Sequence, residues 1–356
     1  MEQLKNIRIS IIVYVFIAFL PLNISGQLFK EGLLQEEELL EYDTLYIESY
    51  VKELTTRLYT SRKFTILNLS DKNASHSLEY RPNDNLNLGF GATYYGFTLN
   101  IGLNLPFIND DDELYGKTSY LDLQSHLLTR KFTFELWLSV YNGYHVANPN
   151  SSITDWDISD NYPYRQDMQT FVGGFSSYYI FNNKKFSYRA AFVQDEWQKK
   201  SAGSFLIGGS LYEVNVIADS SLLPYNIVDT SFYDGFHFNQ SNFATISING
   251  GYAHSFIIKR KFFITLSLLA GVGGGNTSLK PSMEDMGGTI SHTSVNTNLT
   301  FRFAMGYNSR KIYVGLSNVY SSFITPTPIE DTDIGLSFGN VRFNIVRRFN
   351  VKKQKL

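Results

Sequence analysis

The sequence predicts an all-β chain, a transmembrane antiparallel up-and-down β-barrel of about 12–14 strands. Three observations lead there. The first is a hairpin from Leu86 to Leu105. Leu86, Leu88, Phe90, Ala92 and Tyr94 alternate with Asn87, Gly89, Gly91 and Thr93. After Tyr95-Gly96, Phe97, Leu99, Ile101, Leu103 and Leu105 alternate with Thr98, Asn100, Gly102 and Asn104. Successive side chains point to opposite faces of a strand, so one face is apolar and the other small and polar. The second is that such runs continue almost to the C-terminus, paired by short turns and separated by long polar segments. The third is composition: 18% charged and 15% aromatic residues, with 28 Phe and 24 Tyr, suit strands that meet lipid on one face and a wet lumen on the other. A soluble sandwich would also use such hairpins, so an exported β-sandwich adhesin stands as an alternative.

The N-terminus reads as an address. Lys5 and Arg8 precede an apolar run from Ile11 to Leu22, followed by Ser25 and Gly26. Residues 1–26 are expected to be a secretory signal peptide cleaved near Gly26–Gln27. No later stretch reaches the roughly 18 apolar residues of a spanning helix. Residues 27–52 are acidic, with a short helix expected around Glu36–Leu40, and form a periplasmic extension. Residues 53–350 form the barrel and 351–356 a basic tail. The absence of Cys excludes disulfides and a lipid-modified N-terminal cysteine. A net charge of −2 gives no reason to expect nucleic acid.

Tight turns are expected near Tyr95-Gly96, Thr129–Lys131, Asn182–Lys185, Lys259–Lys261 and Asn308–Lys311. Long segments span Ser70–Asp84, Asn109–Gly116, Ala147–Asp167, the surroundings of Asn239–Ser241, Asn276–Ile290 and Thr325–Asp333. Four of the turns are basic, with Arg130-Lys131, Lys184-Lys185, Lys259-Arg260-Lys261 and Arg310-Lys311. The long loops carry Asp110–Glu113, Asp155, Asp157, Asp160, Glu284-Asp285 and Glu330-Asp331. The two signs separate onto opposite ends, which places the short turns in the periplasm and the long loops outside. Consistent pairing then requires Ser201–Val216 to run inward and a weak strand near Tyr225–Phe232 to run outward. That makes fourteen strands, or twelve if the weak strand is loop. In the last strand Val341, Phe343, Ile345 and Phe349 share a face, which resembles the terminal signal read by the barrel assembly machinery. Arg347 shares that parity near the strand end, where a lipid-facing Arg costs only ~0–1 kcal/mol against ~2–4 at the midplane.

Nearly all of the mature chain resembles a family of Bacteroidota proteins catalogued as domain of unknown function 4421. The resemblance rests on Tyr46-Ile47-Glu48, Arg57-Leu58-Tyr59, Tyr80-Arg81-Pro82-Asn83, Leu88–Gly91, Gly116-Lys117-Thr118, Leu121–Gln124, Phe186-Ser187-Tyr188 and Gln198–Ser204, with Tyr141-Asn142-Gly143-Tyr144 as a variant. It implies an outer-membrane barrel in a Gram-negative bacterium and no activity.

Opposite the apolar parity lie Asp122, Gln124 and His126 on one strand and Glu135 on its hairpin partner. Arg189, Arg302 and Arg342 take the same position on later strands. This lumen-facing network either lines an aqueous path or pairs across the barrel and plugs it. His292-Thr293-Ser294 places a His and a Ser on one strand face, as an outer-membrane phospholipase does. Val295 stands where that enzyme family has Asn, however, and Asn296 follows one place later, so a lipid hydrolase is only an alternative. Neither acidic loop cluster has EF-hand spacing, and the six His show no HExxH pattern, so no metal or other cofactor is expected. Gly271–Gly275 precedes no helix and reads as wall packing rather than a phosphate loop. Gln198, Lys199, Lys200, Ser201, Ala202, Gly203 and Ser204 are expected to form an outer loop. That loop either constricts the lumen or meets lipopolysaccharide phosphates. The partners expected are outer-membrane lipid, lipopolysaccharide and, during biogenesis, the assembly machinery. The reading is a non-enzymatic outer-membrane barrel, a narrow or plugged pore or an envelope structural or assembly partner. Mass spectrometry of the outer-membrane fraction is expected to find a mature chain that begins near Gln27; an uncleaved inner-membrane form would contradict the reading.

Overall fold

A computed structural model describes residues 42–350 apart from 75–76, 105–107, 109–110 and 283–286 and the side chains of 124 and 125. The expected signal peptide, most of the expected acidic extension and the basic tail lie outside the described residues. The chain runs through β1 (Ile47–Ser49), β2 (Leu54–Asp71), β3 (Ser77–Arg81), β4 (Leu86–Tyr94), β5 (Phe97–Asn104) and a helical turn α1 (Asp112–Tyr115). It continues through β6 (Ser119–Leu128), β7 (Phe132–Val146), α2 (Pro149–Ser152), β8 (Tyr164–Ile180), α3 (Tyr188–Phe192) and β9 (Glu196–Gln198). The last strands are β10 (Ala202–Ile217), β11 (Phe238–Ile258), β12 (Phe262–Pro281), β13 (Ile290–Asn308), β14 (Ile312–Pro326) and β15 (Thr332–Phe349).

Every strand pairing is antiparallel, and β15 closes on β2 along its whole length, from Thr332 opposite Asp71 to Phe349 opposite Leu54. Thirteen strands share one sheet, and ten of them close the ring in the order β2, β3, β7, β8 and β10 to β15. A closed ring is not a two-sheet sandwich. The ring forks on one side. β3 lies opposite Leu67–Ser70 of β2, while β4 lies opposite Thr55–Arg62. Below β3, β4 carries β5 and β7 carries β6, so twelve strands stand side by side at the short-turn end. Among the described residues no ladder joins β5 to β6.

The fork has identifiable causes. β7 shifts register between Asn142 and Tyr144. Gly143 between them has φ +91°, and a β-carbon there would lie 2.4 Å from the Lys117 carbonyl. Thr118 Oγ1 accepts from the Asn83 amide at 2.8 Å and donates to the Gly143 carbonyl at 2.8 Å. Asn83 Nδ2 donates to Asp111 at 2.9 Å and to the Gly116 carbonyl at 3.2 Å. Tyr80–Asn83, Gly116–Thr118 and Tyr141–Tyr144 therefore meet at one structural junction.

Apolar side chains stand outward around the ring, among them Phe90 at 62% exposure, Ile101 at 60%, Phe205 at 68%, Ile248 at 72% and Leu268 at 51%. Their neighbours in sequence point in and are small or polar, such as Ser210, Asn249 and Ser267, all buried. Only hydrocarbon stabilises such an outer surface, and a closed ring leaves few backbone groups unpaired within it. This is the fold of an outer-membrane β-barrel.

Two predicted strands are absent. The turn at Asn182–Lys185 leads into α3 and the three-residue β9, which lie inside the barrel mouth. Tyr225–Phe232 forms irregular loop with one isolated bridge, Ile153 to Ile227. Because both fall away together, β10 runs from the short-turn end to the long-loop end, opposite to the expected direction. The even parity of the termini survives. Leu268→Arg is expected to block assembly, since a cation on the lipid face costs ~2–4 kcal/mol near mid-depth. Asn100→Arg, on the polar parity, is expected to assemble. Heat-modifiable electrophoretic mobility reads both outcomes.

Candidate functional site

The inside of the barrel is filled in three layers. Toward the long-loop end Trp137, Tyr212, Phe323 and Phe338 project from four different strands. Ring centroids are 4.7 Å apart for Trp137 and Phe338, 4.2 Å for Tyr212 and Phe323, and 5.8 Å for Phe323 and Phe338. The loop between β10 and β11 folds over them and buries Leu222, Leu223, Phe232 and Tyr233. Tyr80 Oη donates to the Leu222 carbonyl at 2.7 Å, and Tyr233 Oη to the Asp333 carbonyl at 2.7 Å, which fixes this cap to the rim.

The middle layer is polar. Glu135 on β7 and Arg302 on β13 form an ion pair with both side chains almost wholly buried. Four strands separate β7 from β13 either way round the ring, so the pair crosses the lumen. His126 Nδ1 lies 3.8 Å from the same carboxylate. Arg302 also sits 5.9 Å from the Tyr188 ring and 6.0 Å from Phe192 of α3. A neighbouring ladder explains the glycine run of β12. Thr245 Oγ1 donates to Asn296 Oδ1 at 2.8 Å and Asn298 Nδ2 to Ser247 Oγ at 2.7 Å, reaching from β11 to β13 over Gly271, Gly273 and Gly275. A β-carbon at Gly271 would lie 2.3 Å from Asn249 Nδ2.

Residues 181–201 plug the short-turn end. Ser187 Oγ accepts from the Ala190 amide at 3.0 Å and caps α3. Arg189 pairs with Asp195 and donates to the Leu128 carbonyl at 2.9 Å; Arg130 pairs with Glu196. The wall reaches in from several strands. Arg57 donates to the Val193 carbonyl at 2.9 Å, Tyr313 Oη to the Ala191 carbonyl at 3.0 Å, and Arg348 Nε to the Gln194 carbonyl at 2.9 Å. Outside the plug β1 pairs with β9, Ile47 opposite Gln198.

The predicted network is thus partly assembled. Glu135, Arg302 and His126 meet. Asp122 instead joins Lys63 at 3.3 Å and accepts from Tyr141 Oη at 2.8 Å. Gln124 is on β6, with its side chain outside the described residues. Arg189 belongs to the plug helix and not to the wall. Arg342 is on the wall, with its guanidinium 4.6 Å from the Tyr59 ring. The segment Gln198–Ser204 lies at the short-turn end, opposite to its expected place. Gln198 bonds the Lys185 carbonyl at 2.6 Å, Lys199 lies 3.7 Å from Glu48, and Lys200 sits 5.3 Å over the Tyr46 ring. Ser201 Oγ accepts from the Ile257 amide at 2.8 Å, and Ser204 Oγ from the Asn182 amide at 2.8 Å. Ala202 and Gly203 begin β10, where a β-carbon at Gly203 would lie 2.2 Å from Tyr252 Oη. The motif anchors the plug and the N-terminal strand.

Arg57, Lys63 and Arg348 were missed, though their parity on β2 and β15 points them inward. Asp195 and Glu196 carry no periodic signal. His292 is exposed, and no hydrogen bond joins it to Ser294 among the described residues. In the acidic loop Asp157 accepts from the Ser159 amide at 2.9 Å and hydroxyl at 2.6 Å, which holds its carboxyl below the usual range. No group of acidic and His residues suited to a metal occurs among the described residues.

Arg302→Ala would leave Glu135 buried without its arginine, with only His126 at 3.8 Å and Ser176 Oγ at 3.4 Å beside it among the described residues, a loss on the order of 3 kcal/mol. The heat-modifiable transition is expected to fall well below that of the parent and to recover in large part with Glu135→Leu and Arg302→Met together. An unchanged transition in Arg302→Ala would refute the pairing.

Solved structures with some likeness include outer-membrane proteins. The outer membrane protease OmpT from Escherichia coli has 8% identity and a TM-score of 0.38, covering 85% of this chain and 98% of that one. The translocator domain of autotransporter NalP from Neisseria meningitidis has 8% identity and a TM-score of 0.29, covering 92% and 96%. The Pseudomonas putida toluene transporter TodX has 10% identity and a TM-score of 0.20, covering 91% and 94%. Likeness at this level says nothing of activity. No curated protein matches the sequence. The family model described as Domain of unknown function (DUF4421) matches residues 41–349, and the chain belongs to that family.

Proposed function

We propose that the protein is a closed, non-enzymatic outer-membrane barrel that serves the envelope as a structural or assembly component rather than as an open pore. The observation that carries this reading is the plug of residues 181–201, held by the wall through Arg57, Tyr313 and Arg348. The aromatic layer and its cap occupy the other end. Enclosed charges with partners give the barrel rigidity and no continuous path for ions.

The short-turn end is assigned to the periplasm and the long acidic loops to the outside, with lipopolysaccharide around them. Export by the signal peptide 1–26, a Bacteroidota source and assembly by the barrel machinery belong to the same reading. In this orientation the strand β1, paired with β9 of the plug, lies in the periplasm, where another envelope component could engage it.

In planar bilayers the parent protein is expected to show little conductance. Arg348→Ala with Arg189→Ala removes two anchors of the plug and is expected to produce discrete conductance steps. Steady conductance by the parent protein would contradict the reading.

A further inference from the structure

Most charges inside the barrel have partners, and one strip of the wall carries buried polar atoms that do not, although Arg57 Nη2 is held by Thr93 and the Val193 carbonyl. Asn344 on β15 is 1% exposed, and neither its Oδ1 nor its Nδ2 has a hydrogen-bond partner. Arg57 Nε and Arg342 Nε are buried and unpartnered as well. These atoms belong together. Asn344 lies opposite Tyr59 in the β15–β2 ladder, Arg342 is two residues along β15 on the same face, and Arg57 is two residues along β2 from Tyr59. Among the described residues no carboxylate lies within ion-pair distance of Arg57 or Arg342. A buried polar group without a partner costs ~1–3 kcal/mol, and more when it is charged. Two guanidiniums and an amide on one strip favour a compact anion with several acceptor oxygens.

The strip continues toward the fork. Tyr59, which carries Arg342 on its face, lies against the glycines of the β4–β5 hairpin. A β-carbon at Gly89 would come within 2.2 Å of the Tyr59 ring, and one at Gly102 within 3.2 Å of its hydroxyl. Beyond that hairpin is the β5–β6 seam, where no ladder joins the two strands among the described residues. The contacts of β6 reach past β5 to other strands: Tyr120 Oη meets Asn87 of β4 at 3.4 Å, and Lys63 Nζ of β2 donates to the Asp122 carbonyl at 2.9 Å. Both faces of β5 are exposed, Leu99 and Ile101 on one and Asn100 and Asn104 on the other. A strand edge without partners is costly in hydrocarbon, and a polar headgroup relieves that cost.

We propose that Arg342, Arg57 and Asn344 form an anion-binding subsite that takes the phosphate of an anionic lipid, which enters from the bilayer through the β5–β6 seam. Free phosphate has the same chemistry. The choice of lipid rests on both barrel ends being occupied by the chain itself, which leaves the side of the barrel as the way in.

The test uses the full mature barrel refolded in detergent, incubated with dioleoylphosphatidylglycerol, dioleoylphosphatidylcholine or inorganic phosphate alone, and examined by native mass spectrometry. The parent is expected to retain phosphatidylglycerol, and neither phosphatidylcholine nor phosphate. Arg342→Gln is expected to lower that retention about tenfold or more, while Arg310→Gln on a short turn leaves it unchanged. A second arm keeps Arg342 and joins Ile101→Cys to Leu123→Cys with a bis-maleimide before lipid is added; the linked barrel is expected to exclude the lipid. Equal retention of phosphatidylcholine, or undiminished retention by a folded Arg342→Gln, would overturn the subsite. Phosphate bound alone, or lipid taken up by the linked barrel, would overturn the lateral lipid source. Conductance does not enter either arm, so failure here is distinct from failure of the closed-barrel reading.

Discussion

A lumen only a few side chains wide cannot hold charge cheaply, and the structure depends on how that constraint is met. An isolated buried ion costs several kcal/mol, so each one needs a counter-charge or a set of hydrogen bonds. The Glu135–Arg302 pair meets the requirement across the full width of the ring. It also positions Arg302 beneath the rings of Tyr188 and Phe192. One contact therefore links two distant parts of the wall to the plug, and the layers on either side are built around it.

The plug follows the same logic. Arg189 and Arg130 are matched by Asp195 and Glu196, while Arg57 and Arg348 are met by main-chain carbonyls of the plug. A short irregular segment exposes many carbonyl groups, and inward arginines satisfy them at several points of the rim. Next to it, the basic pair Lys199-Lys200 draws the N-terminal strand onto the mouth. Packing of the barrel end and docking of β1 are thus parts of one charge arrangement.

The wall was legible in the sequence because its signal is periodic. Alternation identified the outward faces of β4, β5 and β15, and charge separated the two ends. The Glu135–Arg302 pair was within reach because both residues sit on polar parity in clear strands. The interior fillings carry no such period. Phe186–Gln198 contains enough aromatic and β-forming residues to resemble a strand, yet Ser187 caps a helix there and the ring has no gap for another strand. Parity shows that Arg342 points inward, and nothing in the linear pattern shows which inward charges find one another. The family-like motifs proved to be joints: the fork at Asn83, Thr118 and Gly143, and the plug stalk at Gln198–Ser204.

The central claim is that residues 181–201 sit inside the ring as a bonded part of the barrel. Amide hydrogen exchange in lipid bilayers tests it most directly, because protection reports how often a segment leaves its bonded state. The account predicts that amides of 188–198 exchange as slowly as those of β12 and β13, and far more slowly than the loop at 155–161. Exchange of 188–198 at the loop's rate would contradict it and would leave the barrel open at its short-turn end.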